Sequence, residues 1–194
     1  MSKPDESWRL FIAIELPETI RHKIRQHIDR LRHELPEARA SWTREQNLHL
    51  TLKFFGDVRV PRVELISEAL RRAATQVVPF EIEVGGCGAF PPRGKPNVLW
   101  IGIDDSSASL QRLHAALETE CERAGFPCDQ RSFHPHLTIA RLRRQQDAQR
   151  LAELHRQSEL DSMSARVADA CLIRSEVSNE GSRYTVIARH ELEP

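Results

Sequence analysis

The 194-residue sequence has no apolar run approaching the roughly 18 residues that a membrane-spanning helix requires. Its first residues, Met1-Ser2-Lys3-Pro4-Asp5-Glu6-Ser7, are polar and lack the apolar stretch of a secretory signal. Surplus charge is also missing, since 28 Lys and Arg balance 28 Asp and Glu. Proteins that grip long nucleic acid through its phosphates usually carry a basic excess, so neutrality argues against a general duplex binder and leaves room for a local basic cleft. The four cysteines (Cys87, Cys121, Cys128, Cys171) form no CxxC pair and show no Cys/His spacing of a structural zinc site. They are expected as reduced, buried thiols. The main loop holds no GxxxxGK[ST], so ATP or GTP binding has no support. What is present, 40% hydrophobic and 29% charged residues, fits a folded chain expected to be cytoplasmic and monomeric, with no metal or other cofactor.

Apolar patterning orders the elements. Residues 8–14 read as a strand, and Pro17 suits the first turn of a helix over 17–35, with Ile20, Ile24, Ile28, Leu31 and Leu35 on one stripe. His22, His27 and His33 lie mostly off that stripe and read as surface residues. Strands at 40–43 and 47–55 follow, the second broken by Gly56-Asp57, and then a helix opened by Pro61. A strand at 80–84 runs into a long Gly/Pro loop reaching Pro96. The order then repeats: strand 98–103, a helix ended by Gly125, strand 133–142, a polar helix over 145–157, and strands at about 165–175 and 183–191 around a turn at 179–182. No linker separates the halves. The expectation is α+β, one domain over 1–194 with two intimately joined lobes.

Two tetrapeptides stand out, His49-Leu50-Thr51-Leu52 and His136-Leu137-Thr138-Ile139, whose histidines are 136 − 49 = 87 positions apart. From the composition, chance supplies roughly 0.05 copies of His-apolar-Thr-apolar, so a pair is well beyond coincidence. In a strand, residues i and i+2 point to one face, so each motif sends its His and Thr to one side and its apolar residues to the other. Two such strands side by side converge two imidazoles and two hydroxyls. Imidazole titrates near neutrality, so one ring can take a proton while the other gives one, and the hydroxyls can donate to anionic oxygens. That set suits displacement at phosphorus without a metal. Zinc would want three or four ligands, and no companion Cys or carboxylate has suitable spacing. The pattern is symmetric and does not say which histidine is acid and which is base.

With these motifs, Arg9-Leu10-Phe11-Ile12-Ala13-Ile14, Lys53-Phe54-Phe55-Gly56, and the frame Phe133-His134-Pro135 before His136 and Ala140-Arg141 after Ile139, the sequence resembles the RNA 2′,3′-cyclic phosphodiesterases, also called 2′-5′ RNA ligases, of the two-histidine (2H) phosphoesterase superfamily. The resemblance runs from about Trp8 to Leu192 and implies a bilobal fold, two pseudo-symmetric lobes of antiparallel sheet with helices outside and a central cleft. It implies metal-free hydrolysis of an RNA 2′,3′-cyclic phosphate to a 2′-phosphate. His49 would be proton donor, His136 proton acceptor, and Thr51 and Thr138 the phosphate-binding residues. The partners implied are RNA ends or small nucleotides with a 2′,3′-cyclic phosphate, and no membrane. Rival readings are 2′-5′ ligation or 2′-5′ phosphodiester cleavage, opening of an ADP-ribose cyclic phosphate, and a non-catalytic RNA-end binding module.

Further candidates follow from parity and residue type. Lys53 shares the parity of His49 and Thr51 and would face the cleft to draw in phosphate. Arg141 has the opposite parity to His136, so it reaches the site only if the strand bends or ends there; with Arg143 and Arg144 it forms a basic cluster. Phe54, Phe55, Phe90 and Trp42 are candidates to stack on a base.

Overall fold

Leu10 to Ile14 are buried without a break, which places their strand in the middle of a sheet covered on both faces. The computed structural model, which describes residues 6–142, 145–178 and 181–193, shows two antiparallel sheets. The first contains β1 (Ser7–Glu15), β3 (His49–Arg59), β8 (Asp169–Ser178) and β9 (Gly181–Glu191), in the order β3-β1-β8-β9. The second contains β2 (Ala40–Trp42), β4 (Phe80–Phe90), β5 (Val98–Asp104), β6 (His136–Leu142) and β7 (Met163–Val167), in the order β2-β6-β5-β4-β7. Helices α2 (Val63–Ala74) and α3 (Ser109–Arg123) pack on the first sheet; α4 (Gln145–Gln157) packs on β4 of the second, beside α1 (Glu18–Glu34). The fold is the α+β, two-sheet arrangement that the motifs imply.

The lobes are not the two halves of the sequence. The chain crosses between sheets after β1, β2, β3 and β7, and β8 and β9 return to complete the sheet that β1 began. One continuous hydrophobic cluster therefore holds Leu10, Ile12 and Leu50 of one sheet together with Leu99, Ile101 and Leu137 of the other. Just beyond β2, Thr43 extends the ladder to β6: its N–H donates to the Ile139 carbonyl (2.9 Å) and its hydroxyl to the Thr138 carbonyl (2.8 Å).

Several element boundaries differ from expectation. Strand β3 runs past Gly56-Asp57 to Arg59, with a register shift at Leu10/Phe11 that absorbs an extra residue. Strand β4 continues through the glycines to Phe90, because Gly86 adopts a left-handed φ of +71° and forms a bulge there. Gly88 is needed for close approach: a Cβ at that position would lie 2.1 Å from the Trp100 ring. The strand expected over 165–175 is two strands, β7 and β8, in different sheets. His27, expected on the surface, is 4% exposed and packs under α4. Cys121 and Cys171 are buried as expected, while Cys87 and Cys128 are only half-buried. Arg143, Arg144 and the turn at Asn179-Glu180 lie outside the described residues. Among the described residues, no helix is long and apolar enough to cross a membrane.

Two bulges matter most. Opposite β1, Ala13 pairs with Thr51 but Ile12 pairs with Lys53, so Leu52 is an extra residue and the alternation of β3 inverts after it. Lys53 consequently points away from the cleft, under α3, which corrects the parity argument. Its ammonium donates to both Glu118 oxygens (2.8 Å each) and to the Pro127 carbonyl (3.0 Å). In β6, Trp100 pairs with Thr138 but Leu99 with Ala140, so Ile139 is extra and Arg141 turns to the face of His136 and Thr138. Removing one partner of a buried ion pair strands the other, at about 3–5 kcal/mol. Lys53→Met should lower the urea unfolding midpoint accordingly, and the double change Lys53→Met/Glu118→Leu should recover much of the loss, since it leaves no uncompensated charge.

Candidate active site

The two His-x-Thr motifs open β3 and β6, one in each sheet, and all four side chains line one cleft of about 330 Å³ between the sheets. Leu50, Leu52, Leu137 and Ile139, the alternate positions, are buried in the core behind it. This is the period-2 alternation of a strand with one face on the core.

Both imidazoles are held in the same way. His49 Nδ1–H donates to the Asn47 carbonyl (2.8 Å) and His136 Nδ1–H to the His134 carbonyl (2.7 Å), each to the residue two positions back. A backbone carbonyl can only accept, so Nδ1 carries the proton in both rings and each Nε2 is left for chemistry. His134 contributes its backbone oxygen; its exposed ring turns back to the Ser132 carbonyl. The Thr51 hydroxyl donates to His49 Nε2 (3.1 Å). When that nitrogen gains a proton the bond reverses, freeing the hydroxyl proton for a phosphate oxygen.

Aromatic rings back the histidines. Phe11 stacks on His49 (centroids 4.8 Å apart, 30° between planes), and Tyr184 meets both rings edge-on at 5.1 and 5.3 Å. This packing belongs to a small apolar cluster on the inner face of the first sheet, Phe11, Ala13, Cys171 and Ile173 with Tyr184 against it. Burial there lowers the pKa of His49 below the ordinary imidazole value, against opposing contributions from the Asn47 carbonyl and the Glu15 carboxylate. On the other side Phe90 lies edge-on to His136 (5.0 Å) and beside Trp100. Phe90 thus supports a histidine and is not among the residues lining the cleft.

The bulges decide the rest of the lining. Phe54 and Arg141 each stand five residues beyond a histidine (54 − 49 and 141 − 136), and both face the cleft. Phe54 is 51% exposed at its mouth, with the Arg9 guanidinium stacked on the ring at 4.8 Å. Trp42, paired with Ala140, and Phe55, packed edge-on against Phe126, lie elsewhere. Sequence reasoning missed Arg9, Phe11, Asn47 and Tyr184. Phe11 and Arg9 share the cleft-facing parity of β1, a signal hidden because β1 is apolar on both faces; Tyr184 carries no local signal at all.

Among the described residues lining the cleft there is no carboxylate and no thiol. Two imidazoles are fewer protein ligands than the three a catalytic zinc normally has. The arrangement offers two Nδ1-anchored imidazoles, two hydroxyls and two guanidiniums around one cleft.

Comparison with known proteins places this geometry. Residues 20–179 match the model of the 2′-5′ RNA ligase superfamily. The chain is 34% identical to an RNA 2′,3′-cyclic phosphodiesterase of Methanothermobacter thermautotrophicus, over 91% of this chain and 95% of that one. It is also 34% identical to the protein of that name from Archaeoglobus fulgidus, over 70% and 73% of the two chains. Among solved structures, TT0787 of Thermus thermophilus superposes with a TM-score of 0.77 at 26% identity, covering 95% of this chain and 97% of that one. LigT of E. coli complexed with 3′-AMP gives a TM-score of 0.72 at 27% identity, covering 97% and 100%. The pair of His-x-Thr strands that faces one cleft is therefore carried by a chain that belongs to the 2′-5′ RNA ligase superfamily.

Proposed function

We propose that this chain hydrolyses RNA 2′,3′-cyclic phosphate ends to 2′-phosphates, with its own side chains supplying the acid and the base. The observation that carries the reading is the cleft itself: two Nδ1-anchored histidines and two threonines from different sheets, flanked by Arg9 and Arg141, with no carboxylate among the described lining residues. Relatives named RNA 2′,3′-cyclic phosphodiesterase support the substrate.

In the proposed step His136 Nε2 takes a proton from water as its oxygen attacks phosphorus. The bond from phosphorus to the 3′-oxygen breaks, and protonated His49 gives its Nε2 proton to that oxygen. Thr51, Thr138 and Arg141 hold the equatorial phosphate oxygens, where charge builds up in the transition state. Phe54, with Arg9 against it, offers a stacking face to the terminal base. The donor and acceptor roles rest on the family resemblance, and the lowered pKa of His49 makes its imidazolium a stronger acid than an exposed one.

A short RNA ending in 2′,3′-cyclic phosphate, incubated in EDTA, should yield a 2′-phosphate. Protection of the cyclic end without turnover would instead mark a binding module, and loss of activity restored only by metal would mark a Lewis-acid mechanism. His49→Ala and His136→Ala should each cost roughly 10²–10⁴-fold in kcat with folding retained, and the two losses should not multiply, because the pair acts as a unit.

The pH dependence follows from the burial of His49. In His136→Gln the residual kcat/KM, which reports the free enzyme, depends on protonated His49 alone. It should fall as pH rises, with a midpoint below the ordinary imidazole value of about 6.5. A midpoint above that value would take the donor role away from His49.

Arg141→Met should lower kcat/KM by roughly ten- to a hundredfold, the loss of a hydrogen bond to a charged group. Phe54→Ala should act mainly on KM, and only with substrates that carry a base at that end. Lys53→Met should leave both constants unchanged at temperatures where the protein stays folded, which separates the cleft-facing residues from the one the bulge turns away.

A further inference from the structure

Behind the second sheet, on the side away from the cleft, three side chains from distant parts of the sequence converge: His27 of α1, Cys87 of β4 and His155 of α4. His27 Nε2 lies 3.0 Å from His155 Nδ1 and 4.0 Å from Cys87 Sγ, and the three ligand-type atoms all fall within 4.8 Å of one another. His155 is fully buried and His27 4% exposed. The Gly86 bulge is what turns Cys87 to this face: after the shift Cys87 pairs with the buried Ile101, whereas unbroken alternation would send it to the cleft side. We propose that His27, Cys87 and His155 form a binding site for one thiophilic divalent transition-metal ion of the Zn(II) class, separate from the phosphoesterase cleft.

The surroundings fit that chemistry. His155 Nε2–H donates to the Trp100 carbonyl (2.9 Å), which fixes its tautomer and leaves the Nδ1 lone pair facing the other two groups. Metal-ligating histidines are oriented in this way by an outer hydrogen bond. Zinc at about 2.0–2.1 Å from nitrogen and 2.3 Å from sulfur sets ligand atoms roughly 3.3–3.6 Å apart in a tetrahedron. The histidines already stand near that spacing, and Cys87 Sγ has to close by about half an ångström toward His27 and by up to about 1.2 Å toward His155, a side-chain movement open to a half-buried cysteine. A cavity of about 380 Å³ leads to His27 and is bordered by the carboxylates of Glu159 and Asp161, with Lys23, Arg30 and the Met163 thioether also on its wall.

Without metal the same groups form a directed chain: Arg30 donates to His27 Nδ1 (3.2 Å), His27 Nε2–H to His155 Nδ1, and His155 Nε2–H to Trp100. In this chain His27 accepts at Nδ1 and donates at Nε2, so the ring is neutral and no ring proton has to be lost to admit a metal. Binding moves the His27 ring proton from Nε2 to Nδ1 through solvent and releases the Cys87 thiol proton, one proton in all per ion bound. Nδ1–H then faces a second donor, so the exposed Arg30 side chain must swing into solvent. Arg30 is the built-in competitor of the metal.

The full-length chain, freed of metal by chelation and dialysis, is titrated with Co(II). One equivalent should bind, giving a thiolate-to-cobalt charge-transfer band and the intense visible bands of a tetrahedral ion, both bleached by Zn(II). Zn(II) should also raise the Tm. Cys87→Ser should abolish the charge-transfer band and weaken binding by more than the roughly 10- to 100-fold lost with an outer-shell group, while leaving cyclic-phosphate hydrolysis unchanged. Arg30→Gln should tighten binding by roughly three- to tenfold by removing a nearby cation and the competing donor. No charge-transfer band with millimolar Co(II), a band that survives Cys87→Ser, or an affinity indifferent to Arg30→Gln would each overturn the proposal.

Discussion

One extra residue in each of two strands decides what this cleft is made of. Strict alternation after His49 would bring Lys53 to the cleft, and after His136 it would keep Arg141 away. The bulges at Leu52 and Ile139 reverse both. The displaced Lys53 finds a carboxylate and a carbonyl under α3 that use all three of its donors. The cleft receives an aromatic face and a guanidinium in its place. A bulge bends its strand and raises local twist, so the same insertions also curl the two sheets around the space they enclose.

The histidines depend on a second constraint, the backbone carbonyl two residues before each ring. It settles the tautomer, aims Nε2 at the cleft and holds the ring where Phe11 and Tyr184, or Phe90, can pack on it. Such packing has a cost and a use. It desolvates His49 and disfavours its charged form, and in the proposed reaction that makes its imidazolium the stronger acid. The two halves of the site are alike in backbone logic and unlike in surroundings.

The cores behind the sheets are continuous, because the chain crosses between them several times and completes the first sheet last. The second sheet is complete once β7 is placed, and the first only when β8 and β9 return to it. The geometry between His49 and His136 is accordingly a property of the whole packed chain, with β3 of one sheet in contact with β6 of the other.

Much of this was legible in the residues themselves. The duplicated His-x-Thr carried the site because a strand's period of two needs no tertiary information to place His and Thr on one face. The apolar stripe of Ile20, Ile24, Ile28 and Leu31 carried α1 for the same reason at a period of 3.6. What local pattern could not show was where a period breaks. Leu52, Ile139 and Gly86 each interrupt an alternation, and a bulge is defined by the partner strand, which lies elsewhere in the chain. For the same reason parity alone points Lys53 into the cleft and leaves Arg141 conditional, whereas His27 reads as surface because α4, which covers it, lies far along the chain. Tyr184 beside His49, and His155 beside His27, are neighbours only after the sheets close. The sequence by itself determined which chemistry is present and on which strand faces it begins. Only the tertiary structure decided which other side chains share that face, because face membership beyond a bulge is set by hydrogen bonds to a strand far away in the sequence.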